Sequence, residues 1–237
     1  MLVGIHQLHY LPWLRYFEKI ARSDVFVALD NVQFTKNGWQ NRNKIRTAEG
    51  TAVLSVPVRA SLGQSLDEIR INDDTRWRRK HWRSIEQHYR NAPYFEDHAP
   101  FLRETYERAW EKLNDLNRHM LGYFVDALGV TTRIDYASEL DVPGAATDRL
   151  VNLVRAVGGR RYYSGAFAIE AYLDVRLFEA AEIGIELQQW ESRRYPQQYD
   201  PFVPDLSIID LLFNCGPESR DVLLGEATPR GNPHDSA

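Results

Sequence analysis

The chain has a single cysteine, Cys215, among 237 residues. No internal disulfide is possible, and no cysteine-rich zinc site can form. No apolar run approaches the length of a membrane span. The nucleotide-binding loops Gly-x-x-x-x-Gly-Lys-Ser/Thr and Gly-x-Gly-x-x-Gly are both missing, which disfavours P-loop hydrolysis and dinucleotide redox chemistry. Positive charge is not in excess: 29 Lys and Arg stand against 33 Asp and Glu, a formal net charge of −4. That balance argues against broad binding to DNA, although a local basic patch stays open. The amino terminus has no charged n-region or cleavable apolar core, so no signal peptide is expected and the expected location is the cytoplasm. What remains is an ordinary globular composition, 43% hydrophobic and 26% charged, rich in aromatics.

The information concentrates in the first 45 residues. Leu2 to His6 and Val25 to Leu29 read as short buried strands. Between them Leu14, Phe17, Ile20 and Ala21 fall on one helical face, with Pro12 at the helix start. Strand–helix–strand of this length is a βαβ unit, so the two strands should run parallel. A hairpin is expected from Asn43–Thr47 and Thr51–Val58 around Ala48-Glu49-Gly50, and a further short strand from 66–71. Residues 74–92 and 99–127 read as helical, the latter with a break near Leu113-Asn114-Asp115. The α/β rhythm returns at 132–136 and continues to a helix at 207–214, with Ser207 as its N-cap. The expected fold is therefore α/β: a Rossmann-like, mainly parallel sheet with a β-hairpin and a mostly helical insertion at about 74–128. Residues 1–225 are expected to form one domain and 226–237 a disordered tail.

Polar groups gather at the strand ends, where ligands bind in open α/β sheets. His6 and His9 flank the end of the first strand. His6 suits a general base or a donor to phosphate, or else bonds the turn's own carbonyls. Asp30 ends the second strand and could orient a histidine or bind a sugar hydroxyl. Asp24 suits a structural turn. Asn37, Gln40, Asn41, Arg42, Asn43 and Lys44 form an amide- and cation-rich loop, fit for hydroxyls and anions. Strand alternation would put Arg42 and Lys44 on one face, with Asn41 and Asn43 on the other. Arg42 is the preferred anion contact. Tyr199 lies in a loop before Ser207, and Asp210 in a helix first turn suits the dipole. Cys215 is expected to be buried and inert. His81 and His88 lack metal-ligand spacing, and neither a metal nor a cofactor is expected. Arg76, Arg78, Arg79, Lys80 and Arg83 form a basic run where tRNA phosphates would be sought.

Several of these blocks together resemble the WbqC-like proteins. They are His6-Gln7-x-x-Tyr10-Leu11-Pro12-Trp13, Tyr16-Phe17 and Asp24-Val-Phe-Val, then Asp30-x-Val32-Gln33-Phe34-x-Lys36-Asn37 and Asn41-Arg42-Asn43-Lys44-Ile45. Near the carboxyl end come Tyr195-Pro-Gln-Gln-Tyr199 and Phe202 to Gly216. The resemblance runs from about residue 2 to 225, specific at both ends and generic in the helical middle. Leu8 departs from an expected proline. The Ser164-Gly165…Tyr172-Leu-Asp174 segment is a residue longer than expected, with Glu170 in place of a basic residue. The resemblance implies a sugar-modifying role in bacterial surface-polysaccharide synthesis, including O-antigen, with transfer of glycine to an amino sugar as one form. A nucleotide sugar or an aminoacyl donor is then the expected small-molecule partner, with aminoacyl-tRNA left open. His6, His9 and Asp30 are the expected reacting groups. Gln7, Tyr10, Gln33, Asn37, Asn41, Arg42, Lys44, Ser164, Tyr199 and Asp210 are the expected substrate contacts. This reading requires His6, Asp30 and Arg42 to converge on one cavity. The alternatives are a non-catalytic sugar-nucleotide-binding or scaffold protein of such a pathway and an aminoacyl-tRNA-dependent ligase, and the oligomeric state stays open.

Overall fold

A computed structural model of the protein describes residues 1–226, apart from residue 172 and the side chains of residues 169 and 170. The expected tail beyond Glu226 and the departure at Glu170 therefore lie outside the described residues. The first βαβ unit forms as the periodicity predicts: β1 (Leu2–Gln7), α1 (Leu14–Arg22) and β2 (Val25–Leu29). β1 and β2 pair in parallel, Val3 beside Val25 through Gln7 beside Leu29. Asp24 accepts a hydrogen bond of 2.7 Å from the Leu2 backbone N–H, the structural turn role its position suggested.

The crossover leaving β2 is long. It carries an antiparallel hairpin, β3 (Arg42–Thr47) with β4 (Gly50–Ser55), and a two-residue pair, β5 (Val58–Arg59) with β6 (Arg70–Ile71). Three helices follow, α2 (Trp77–Tyr89), α3 (Phe95–Glu107) and α4 (Leu113–Ala127). The helical block expected at 99–127 is thus two helices, with the buried Trp110 in the break and its indole N–H on the Thr105 carbonyl at 2.8 Å. The strand expected at 66–71 is mostly a 3-10 turn, Leu66–Glu68, and only its last two residues pair.

The chain then returns to the sheet with β7 (Arg133–Tyr136), α5 (Ala146–Ala156) and β8 (Arg161–Gly165). Next come α6 (Ala166–Ala171), α7 (Val175–Ala180), β9 (Gly184–Gln188), α8 (Ile208–Cys215) and α9 (Ser219–Leu224). The five-stranded sheet runs β7-β2-β1-β8-β9, parallel throughout. The chain starts at the central strand, builds outward on one side, then crosses to the other. The crevice between β1 and β8, where that direction reverses, is the topological switch point of a Rossmann-like sheet. Ser207 starts α8 as expected, but its hydroxyl makes no capping bond.

Strand alternation divides the core. Val3, Ile5, Val25 and Val27 face Leu150 and Val154 of α5 and Phe178 of α7. Phe26 and Ala28 face the other way, into a larger core built with Leu14, Phe17 and Ile20 of α1 and continuing through α2, α3, α4 and α8. Full burial of such side chains contributes about 1.5–3 kcal/mol each. α1 approaches β1 so closely that a Cβ on Gly4 would lie 2.4 Å from Ser23 Oγ and 3.2 Å from Lys19 Cγ. Gly4→Val should therefore overpack this contact, costing about 1–3 kcal/mol or more and lowering Tm by several degrees in calorimetry. An unchanged Tm would contradict so tight an approach.

Candidate functional site

A cleft of about 1140 Å³ opens at the carboxyl ends of β1, β2, β8 and β9. β1 contributes His6 and Gln7, and the turn after β2 contributes Asn31 and Gln33. α1 lends Arg15, Tyr16 and Lys19. The entry to α5 supplies Gly144, Ala145 and Ala146, with Arg149 one turn on. Gly165 to Ala168 follow β8, and Gln188 and Trp190 close the far side. Among the described residues three cations line this cleft and no carboxylate does. In a chain of net charge −4 that is a local reversal of sign, and it selects anions.

Lys19 is the least expected of these groups. It is 5% exposed, and among the described residues no carboxylate lies within 4.0 Å of its ammonium. Its neighbour Glu18 is fully engaged elsewhere. Glu18 accepts from Arg22 Nε at 2.6 Å, from the Tyr163 hydroxyl at 3.2 Å and from Gln188 Nε2 at 2.5 Å. Gln188 also donates to the Arg15 carbonyl at 2.9 Å, tying α1 to β9 across the cleft. Burial pushes Lys19 down from its ordinary value of 10.5 to about 8.

His6 stands edge-on to Tyr16, with ring centroids 5.0 Å apart. Its Nδ1 lies 3.2 Å from the Gln7 carbonyl oxygen. A carbonyl can only accept, so Nδ1 carries the proton and Nε2 keeps a lone pair. Burial, and next the positive charge of Lys19, lower the imidazole to about 3, so the ring is neutral at physiological pH. Gln7 and Gln33 are held by buried Gln40, whose Nε2 donates to Gln7 Oε1 and to the Gln33 carbonyl, both at 3.2 Å. Arg149 donates to Asn31 Oδ1 at 2.6 Å. Two cleft groups have buried polar atoms without a partner, the Tyr16 hydroxyl and Trp190 Nε1.

The expected site residues do not all meet here. His6, Gln7 and Gln33 line the cleft. His9 is buried behind His6, ring centroids 4.8 Å apart. Ser164 is buried beneath the rim and bonds the Gly165 carbonyl at 3.2 Å. Tyr10 turns into the core, its hydroxyl on His81 Nδ1 at 2.9 Å and on Tyr106. Asp30 is consumed by Arg118 and by the Ser138 N–H and Oγ at 2.9 and 2.8 Å. It ties β2 to the segment after β7 and does not line the cleft with His6. Arg42 donates to the Asn37 carbonyl and, with Lys44, flanks the Trp39 ring, so alternation placed those two together. Asn41 bonds the Val56 carbonyl at 2.8 Å. The Tyr199 ring lies against the Arg46 guanidinium. Asp210 is sealed by the Tyr89 and Tyr195 hydroxyls, both at 2.8 Å, and Gln197 at 2.9 Å; burial pushes its carboxyl up to about 6.

The expected convergence of His6, Asp30 and Arg42 is therefore corrected: of the three, only His6 lines the cleft. Arg42 opens a hairpin outside the parallel sheet, so the strand-end rule does not reach it. The groups that sequence reasoning missed are Arg15, Lys19, Asn31, Arg149, Gln188 and Trp190. One signal was available. Arg15 sits in the first turn of α1, where the helix dipole disfavours a cation, and Lys19 follows one turn later on the same face. Among the described residues no cluster of three or more His, Cys, Asp or Glu could hold a metal ion, and no helix is long and apolar enough to cross a membrane.

The model of the WbqC-like protein family matches residues 7–222. The chain is 36% identical over 225 residues to the uncharacterized protein Rv1507c of Mycobacterium tuberculosis, covering 93% of this chain and 96% of the relative. No solved structure matches the chain.

The buried ammonium carries a stability cost that can be measured. Unfolded Lys19 binds its proton up to about pH 10.5, the folded form only to about 8, so the unfolded state holds more protons between those values. Stability should rise with pH across that window, and the full penalty, about 3 kcal/mol, should stand below it. Lys19→Met should raise the ligand-free Tm at pH 7 and flatten the slope between pH 8 and 10. A lower Tm for this variant in denaturation scans would contradict the unpaired state.

Proposed function

The chain belongs to the WbqC-like protein family, and on that premise we propose that it is a transferase acting on a nucleotide-linked sugar in bacterial surface-polysaccharide synthesis of the O-antigen type, adding an aminoacyl group such as glycyl to an amino sugar. The observation that carries this reading is the cleft at the switch point of the sheet, lined among the described residues by cations and by no carboxylate. Arg15, Lys19 and Arg149 suit phosphate oxygens. Asn31, Gln33 and Gln188 offer both donors and acceptors, which suits sugar hydroxyls. Trp13, Trp190 and the exposed Phe167 give a ring a surface to lie on.

His6 supplies the proton chemistry in this reading. Its Nε2 lone pair accepts a hydrogen bond from the acceptor amine. As the amine nitrogen bonds the acyl carbon, the bond from that carbon to the donor's leaving group breaks. The amine proton passes through Nε2 to the leaving group. A second reading, aminoacyl-tRNA as the donor, draws on α2, where Arg76, Arg79, Lys80 and Arg83 are exposed and have no carboxylate partner among the described residues.

Incubation with nucleotide-linked amino sugars and aminoacyl donors, followed by mass spectrometry, tests the proposal. The expected result is a sugar product carrying the added aminoacyl group. His6→Gln should cut turnover by about 10²–10⁴-fold with ligand binding retained. Binding without product for every donor would leave a scaffold protein, and the transfer reading would fall. Charge reversal at Arg79 and Arg83 should abolish tRNA affinity if tRNA is the donor.

A further inference from the structure

α1 runs back over the sheet from the carboxyl end of β1, and helical side chains lean toward the helix amino terminus. Lys19 packs its stem against β1 beside Gly4 and so points its ammonium along the strand into the cleft. The same cleft is lined by further groups that mostly donate. The Tyr16 hydroxyl, on a side chain 1% exposed, has no partner. Trp190 Nε1 has none either. The Arg15 guanidinium, exposed at the mouth, has no carboxylate partner among the described residues. Buried donors are nearly always satisfied in native proteins, and an unpaired buried ammonium is costlier still. The buried Asp30 and Asp210 carboxylates, by contrast, are both closed by donors.

We propose that Lys19, Tyr16, Arg15 and Trp190 form a preformed subsite for a phosphoryl group, so that the substrate enters with a terminal or bridging phosphate seated beneath α1 and its remaining part extending toward Asn31 and Arg149. A phosphoryl group offers more acceptor oxygens and more charge than a carboxylate, matching two cations with two further neutral donors. Gln188 is a positioning residue for this subsite. By bonding both Glu18 and the Arg15 carbonyl, it holds Glu18 off Lys19 and keeps the start of α1 against β9. The subsite deepens the nucleotide-sugar reading and relies on it only for the identity of the rest of the substrate.

Calorimetric titration of the full chain at pH 7 tests this with inorganic phosphate, a sugar 1-phosphate, a nucleoside diphosphate and acetate. The phosphorylated probes should bind and raise Tm, and acetate at equal concentration should not. Lys19→Met and Tyr16→Phe should each weaken phosphate-bearing probes by about tenfold or more. Lys19→Arg should recover part of the loss, and Arg59→Glu on β5, outside the cleft lining, should change nothing. Tyr16→Phe removes one oxygen only, so it decides the matter should Lys19→Met fail to fold. Undiminished phosphate binding in Tyr16→Phe and Lys19→Met, equal binding of acetate, or no binding of any phosphorylated probe would each overturn the subsite. Phosphate binding that depends on Lys19 without any transfer product would uphold the subsite and defeat the transfer reading. Transfer with unaltered phosphate affinity in Lys19→Met would do the reverse.

Discussion

The contact between α1 and β1 governs this site. Gly4 lets the helix settle onto the strand at a distance that any side chain would block. That closeness buries the stem of Lys19, whose charge must then go where the helix axis sends it, to the carboxyl edge of the sheet. The same helix face carries Arg15 and Tyr16. One packing decision thus brings a cation, a hydroxyl and a second cation to the end of β1, beside the neutral ring of His6. The cost of burying that charge is borne by the ligand-free fold.

Buried polarity in this protein divides into balanced and unbalanced sets. The Asp210 network is balanced: two tyrosine hydroxyls and an amide satisfy the carboxyl, and Arg46 nearby is held by four backbone carbonyls. The Asp30 carboxylate is closed in the same way by Arg118 and Ser138, and its backbone carbonyl accepts from Asn114. These join distant parts of the chain and leave little capacity for a ligand. The cleft has the opposite character, with donors and cations lacking acceptors.

Several features were legible along the chain. The βαβ unit, the hairpin and the return of the α/β rhythm follow from apolar periodicity, which depends on neighbours a few residues apart. His6, Gln7 and Gln33 were found because strand ends are visible as the places where apolar runs stop. Tyr10, Asp30 and Asp210 sit in equally polar local settings, and nothing local distinguishes them from His6. Their partners are remote: Tyr10 meets His81 and Tyr106, Asp30 meets Arg118 and Ser138, and Asp210 meets Tyr89. Arg149 and Trp190 carried no signal, since their meaning depends on which strand lies beside which.

By itself the sequence determined the class of fold, the parallel pairing of its first two strands, the family and the histidine that ends β1. Those follow from short-range pattern and from motif. Only the tertiary structure decided that the cations lining the cleft are Arg15, Lys19 and Arg149 and not Arg42 and Lys44. Charge has no address until the sheet order sets which helix starts meet at the crevice. Whether a buried polar atom is satisfied or left open is likewise a property of residues far apart in the chain, and folding alone brings them together.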